Sequence, residues 1–173
     1  MNTTASLLLK GDHPAPFYVA QLAEALPRRG WLLATAESCT GGLIAATCTE
    51  RPGSSAWLDC GFVTYSNQAK TALLGVPADM VMEYGAVSEP VARAMAQGAC
   101  AHSRAQASVA VTGVAGPDGG TAAKPVGTVW FGWQVAGQTF SECMHFEGDR
   151  AAIRQATVVH ALKRLLEHMA ACV

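Results

Sequence analysis

The chain has 173 residues, with 12 Lys and Arg against 13 Asp and Glu, a formal charge of -1, half of its residues apolar and only 14% charged. An average soluble domain carries about 25% charged residues, so this composition excludes intrinsic disorder, and the length fits one domain that buries roughly 70% of its unfolded surface. The near-neutral balance lacks the basic excess of a protein that grips nucleic acid by its phosphates; a local anion site for a small nucleotide remains open.

In chain order, residues 1–16 contain one three-residue apolar run, Leu7 to Leu9, with no cationic segment before it. They read as a flexible tail rather than a secretory leader, ahead of a single domain over 17–173. No apolar run reaches the roughly 18 residues of a bilayer span, so no membrane partner is expected. Tyr18, Val19, Leu22, Ala23 and Leu26 recur at three and four, the spacing of an amphipathic helix over 17–29 that Pro27 brings to its end. Residues 31–36 form a short apolar run read as a buried strand; Glu37-Ser38-Cys39-Thr40-Gly41-Gly42 then turns into a helix over 43–50, closed by Pro52-Gly53. A strand over 60–65 leads to Ser66 or Asn67 as cap of a helix to residue 74, and a further helical turn covers 78–84.

Ser88-Glu89-Pro90 has the form of an N-cap, an acidic first turn and an early proline, and predicts a helix to residue 103. An apolar strand over 107–112 precedes a loop over 113–127 with five glycines and two prolines. Strands over 128–135 and 139–146 flank Ala136-Gly137-Gln138 as an antiparallel hairpin. Asp149 caps a long final helix whose apolar face is Ile153, Ala156, Val159, Leu162, Leu166 and Met169. Strands alternating with helices, plus one hairpin, predict a three-layer α/β/α sandwich with a mixed, mostly parallel sheet. The six cysteines show no C-x-x-C pair and no metal-ligand spacing, and read as reduced thiols of a cytoplasmic protein. The low charge fraction is compatible with a homo-oligomer formed through an apolar surface.

Ligands of open α/β sheets gather beyond the carboxyl ends of the strands, and three polar or glycine-rich segments here follow strands. In the first, Ser38 reads either as a nucleophile near a positive helix end or, with Thr40, as a simple N-cap. Gly41 and Gly42 cost helix propensity of about 1 kcal/mol each, which suits close approach of a ligand to the backbone. Cys39 is the rival nucleophile, but no histidine falls in a segment placed at this site to activate it. In the second, Tyr65 to Lys70, the lysine is either a solvated surface group or a base, and the latter requires it to be neutral. The third, Thr112 through Thr121, matches neither a Walker A motif nor a dinucleotide fingerprint. It reads as a backbone-amide nest for phosphate or as a tight turn. Arg150, beside the cap of the final helix, is either exposed or a phosphate ligand.

Taken together, seven ordered segments resemble the CinA C-terminal domain family over about residues 17–169. They are Ala36 through Gly42, Gly53-Ser54-Ser55-Ala56-Trp57, Gly61 through Asn67 with Lys70, Gly85 through Pro90, Thr112-Gly113 through Gly120, Lys124 through Val129, and Gly148-Asp149-Arg150. The resemblance implies hydrolysis of the carboxamide of nicotinamide mononucleotide (NMN) to nicotinic acid mononucleotide and ammonia, in pyridine nucleotide salvage, without metal or other cofactor. It maps the family's serine, tyrosine and lysine onto Ser38, Tyr65 and Lys70. Ser38 is then the nucleophile, Lys70 the proton carrier, and Tyr65 a group that orients Lys70 or donates to the oxyanion. Substrate contacts are expected from Thr40, Gly41, Gly42, Asn67, Thr112, Gly113, Gly116, Gly119 and Arg150, the last on the 5'-phosphate. Many relatives carry a further N-terminal domain associated with a pyrophosphatase activity. This chain is too short to include one, so the deamidase alone is expected, and composition gives no support to a role in competence or DNA damage. The alternative is a non-catalytic nucleotide-binding regulatory module that keeps the pocket without turnover.

Overall fold

A computed structural model describes residues 13–172. Helix α1 (Ala15–Arg28) begins between Pro14 and Pro16, whose fixed φ suits a first turn, and buries Tyr18, Val19, Leu22 and Leu26 on one face. The tail expected through residue 16 therefore gives way earlier. His13 donates its backbone N–H to the Tyr18 hydroxyl at 3.1 Å and stacks its ring on Phe17, and Ala15 is already buried. Residues 1–12, the rest of that expected tail, lie outside the described residues.

Five strands follow: β1 (Leu33–Glu37), β2 (Leu58–Val63), β3 (Ala107–Gly113), β4 (Thr128–Val135) and β5 (Gln138–His145), in the order β2-β1-β3-β4-β5. β1 pairs parallel with β2 and β3, whereas β3–β4 and β4–β5 are antiparallel. Only β4 runs against the others, so strand direction is mostly parallel, as expected, while the pairings divide evenly. The cause is the hairpin, which turns on two residues rather than three: Ala136 and Gly137 both have positive φ, 48° and 82°, as a right-twisted two-residue turn requires.

The remaining helices are α2 (Leu43–Thr49), α3 (Asn67–Leu74), α4 (Ala78–Tyr84), α5 (Glu89–Ala101) and α6 (Arg150–Ala171). Because side chains alternate across a strand, β3 sends Val109 and Val111 into a core with α1, α2 and α6, and Ala110 into a second core with α3, α4 and α5. These are the three layers. α5 lies so close to β4 that a Cβ on Gly132 would stand 2.2 Å from the Ala92 carbonyl oxygen. Ser88 occupies the N-cap position of α5, yet its hydroxyl donates to the Gly85 carbonyl instead of accepting from the helix.

On α6 the cap is as read, with Asp149 Oδ1 accepting from the Ala152 N–H at 2.8 Å. Its buried stripe is wider than predicted. Thr157, Val158, Ala161 and Leu165 join Ile153, Leu162, Leu166 and Met169, while Ala156 and Val159 are only partly covered. The helix packs against both the sheet and α1, so more than one narrow face is enclosed. Among the described residues no helix is long and apolar enough to cross a membrane.

Candidate active site

The last residue of β1 organises the site. Glu37 is fully buried, and its carboxylate accepts from Thr35 Oγ1 (3.1 Å), Thr40 Oγ1 (2.7 Å), the Ile44 N–H (2.9 Å) and the Ala45 N–H (2.8 Å). One side chain thus satisfies two first-turn amides of α2 and ties down the turn that precedes them. Ser38, the next residue, donates its N–H to the Val111 carbonyl of β3, and its own carbonyl accepts from the Gly41 N–H. Gly41 and Gly42 have φ of 63° and 97°, a conformation that favours glycine.

These contacts revise three expectations. Thr40 is buried with its hydroxyl committed to Glu37, and neither Gly41 nor Gly42 borders the cleft in front of Ser38. The glycines serve the turn rather than close approach of a ligand. The positive helix end expected beside Ser38 belongs to α2, which begins five residues later, and part of it is answered by the Glu37 carboxylate.

Ser66 caps α3, accepting from the Ala69 N–H at 3.0 Å, and this sets the direction of the first turns so that Lys70 points back into the protein. The Lys70 side chain is 1% exposed; Nζ donates to the Thr64 carbonyl at 2.9 Å and lies 3.1 Å from Ser38 Oγ. Burial holds its pKa below the ordinary lysine value, and no carboxylate pairs with it among the described residues. An amine in that setting holds its proton less firmly than a solvated lysine does. Cys39 stands beside Ser38 at 6% exposure; burial pushes its thiol up to about 11, against its nearby backbone amides and with the Glu37 charge adding to the rise. A thiol held neutral is a poor nucleophile, so Ser38 is the better-placed one.

A cleft of about 230 Å³ opens in front of this pair, lined by Ser38, Cys39, Tyr65, Asn67, Lys70, Ala86, Val87, Thr112, Gly113, Ala115 and Arg150. A larger depression of about 360 Å³ between α3 and α4 is lined by residues such as Thr71, Ala72, Val81 and Met82 and holds no ionisable side chain. The ionisable and nucleophilic side chains gather instead in the smaller cleft. On its far wall Arg150 donates through one guanidinium nitrogen to the Gly116 carbonyl at 2.8 Å and through the other to the Tyr65 hydroxyl at 3.1 Å. Tyr65, 62% exposed, is thus partnered by Arg150 rather than by Lys70.

Thr112 donates its hydroxyl to the Ala86 carbonyl at 2.8 Å, which fixes the segment that supplies Ala86 and Val87 to the cleft. The β3–β4 ladder continues through the Val114 N–H to the Thr128 carbonyl. By strand alternation the Gly113 amide then faces the end of β1, not β4. Gly116 contributes a carbonyl and not a nest of amides, and a Cβ there would stand 2.5 Å from Val126 Cγ1. Gly119 lies in the exposed part of the loop, away from the cleft. Of the expected residues, the structure brings together Ser38, Tyr65, Lys70, Asn67, Thr112, Gly113 and Arg150, with Gly116 behind Arg150. The sequence reading assigned no part to Glu37, although a carboxylate at the end of an otherwise apolar strand was a visible signal. Among the described residues no group of three His, Cys, Asp or Glu is arranged to hold a metal ion.

With this geometry in place, comparison with known proteins is informative. The model of the CinA C-terminal domain matches residues 17–169. The chain is 53% identical over 154 residues to a nicotinamide-nucleotide amidohydrolase PncC of Pseudomonas putida, covering 89% of this chain and 96% of that protein. It is also 53% identical over 135 residues to a CinA-like protein of Akkermansia muciniphila, covering 78% of this chain but 33% of that longer protein. A crystal structure of a competence/damage inducible protein from Agrobacterium tumefaciens superimposes with a TM-score of 0.87 at 45% identity, covering 91% of this chain and 95% of that one. Ser38, Lys70 and Arg150 thus stand in a scaffold whose sequence and shape agree from α1 to α6: the chain belongs to the CinA C-terminal domain family.

Proposed function

We propose that this protein is an amidohydrolase that removes the amide of NMN, giving nicotinic acid mononucleotide and ammonia in pyridine nucleotide salvage, by a serine–lysine mechanism. The observation that carries the reading is the contact of Lys70 Nζ with Ser38 Oγ at 3.1 Å, with the lysine almost wholly buried. It is supported by relatives of similar length whose name is nicotinamide-nucleotide amidohydrolase.

Neutral Lys70 accepts the Ser38 proton as Oγ attacks the carboxamide carbon, and the resulting ammonium passes a proton to the departing ammonia. The ester left on Ser38 is cleaved by water: Lys70 takes a proton from the water as it attacks and passes that proton to the departing Ser38 Oγ, which restores both groups. The Gly113 amide, with turn amides next to Ser38, stabilises the oxyanion in both halves. Arg150, aimed by Gly116 and Tyr65, holds the 5'-phosphate and so favours the mononucleotide over free nicotinamide. Asn67, at the mouth of the cleft, contacts the substrate between these two ends.

The test is ammonia release from NMN by wild type and Ser38→Ala, with binding of NMN measured on both. Loss of about 10³-fold or more in turnover with binding retained is expected. Full turnover in the variant overturns the mechanism, and binding without turnover in the wild type points instead to a regulatory module.

A further inference from the structure

Ser38 is held to the sheet by Val111 and, through Thr40, to Glu37; a third attachment comes from outside the sheet. Arg154, one turn beyond Arg150 on α6, donates from a terminal nitrogen to the Thr40 carbonyl at 2.8 Å. Its guanidinium stands over Gly41, 3.8 Å from where a Cβ would be. Its Nε is buried and has no hydrogen-bond partner among the described residues, and no carboxylate pairs with its charge there. A cation kept in this state costs stability, so its single oriented bond to the turn calls for an account beyond packing.

We infer that Arg154 is a positioning residue that fixes the Ser38 turn in register with the N-terminal turn of α6. The inference rests on the serine mechanism proposed above. One helix then carries two arginines a turn apart, Arg150 facing the cleft and Arg154 gripping the nucleophile's turn from behind. Substrate anchored at Arg150 meets a serine whose place is set by the same rigid element. Arg154 does not border the cleft, so its effect passes through Thr40 to the placement of Oγ. Displacement of a reacting group by about 1 Å is enough to cost on the order of 10²-fold in rate.

The experiment compares wild type, Arg154→Ala and Arg154→Lys in steady-state ammonia release from NMN, and in amide hydrogen exchange across residues 38–45. Arg154→Ala is expected to lower kcat about 10- to 100-fold with KM within about twofold. Exchange in the 38–45 segment should accelerate while α1 stays protected, and Arg154→Lys, which keeps one donor, should recover a large part of both. A raised KM at constant kcat would make Arg154 a substrate ligand and overturn the inference, as would unchanged kinetics and exchange. Should the wild type itself release no ammonia, the functional reading fails, and the exchange comparison alone decides: equal exchange in wild type and both variants sinks the positioning role.

Discussion

Lys70 and Arg150 both face the cleft, yet their surroundings are opposite. Lys70 is 1% exposed, has no carboxylate partner among the described residues, and donates hydrogen bonds to a backbone carbonyl and the serine. Arg150 sits in the exposed first turn of α6, and its guanidinium is shared between the Gly116 carbonyl and a tyrosine that is itself 62% exposed. The difference fits the roles proposed above for the two side chains. A proton carrier has to spend part of its time neutral, which desolvation favours; a phosphate ligand has to remain charged, which contact with water permits.

The largest effect that would break this contrast is expected at Lys70. Lys70→Met should lower kcat about 10²–10⁴-fold while leaving KM for NMN within a few fold. Because the folded-state pKa of Lys70 lies below its unfolded value, the unfolded chain binds the proton more readily at neutral pH, and the lysine weighs against folding there. Methionine removes that cost, so the inactive variant should melt higher than wild type. A melting point that falls would contradict the claim that the amine is held against its preference. The acid limb of the wild-type rate profile should likewise lie below the ordinary lysine range.

Next in size is Glu37→Gln. Glutamine keeps one oxygen, and its NH2 can donate to a threonine hydroxyl but cannot accept from an amide, so the bond to the Ile44 or the Ala45 N–H is lost. About 1–3 kcal/mol of stability should go with it, together with part of kcat, as read by melting and by ammonia release. A variant as stable as wild type would show that Glu37 does not hold the turn. Arg150→Ala is expected to act at the other wall, raising KM about 10-fold or more with kcat less affected. Equal KM values for both proteins would remove the phosphate assignment.

The smallest effect lies outside the cleft. His168 on α6 stacks on Phe140 and sits 5.0 Å from the Trp133 ring, and burial lowers its pKa to about 4 with Arg164 adding to the fall, Glu167 and Glu142 opposing it, and His160 a further small lowering. Unfolded, the same imidazole takes a proton near pH 6.5. Stability contributed by the neutral ring is therefore full above about pH 6.5 and is lost as pH falls toward 4. His168→Phe should reduce the drop in melting temperature between pH 7 and pH 5. An unchanged drop would assign the acid sensitivity to other groups, such as His160 with its Glu142 partner at 3.1 Å.

Much of the site was legible because its residues sit at the ends of elements that the sequence marks clearly. A cap at Ser66 or Asn67 and the apolar run before Ser38 place Ser38 and Lys70 at one edge of the sheet from local signals alone. Thr40, Gly41 and Gly42 were misread because a turn that serves a buried carboxylate and a turn that serves a ligand need the same small and polar residues. Gly119 was misread for a related reason: a glycine-rich loop does not reveal which of its glycines faces inward.

The order of elements, a cap at Ser66 or Asn67 and one at Asp149, and the apolar character of β3 follow from the sequence itself, since period and capping act over a few residues. Tertiary structure alone decided that Lys70 is buried beside Ser38, that Arg150 is aimed by Gly116 and Tyr65, and that Arg154 reaches Thr40 across 114 positions of the chain. Those contacts join separate elements, and desolvation is a property of everything packed around a group, which no local pattern encodes.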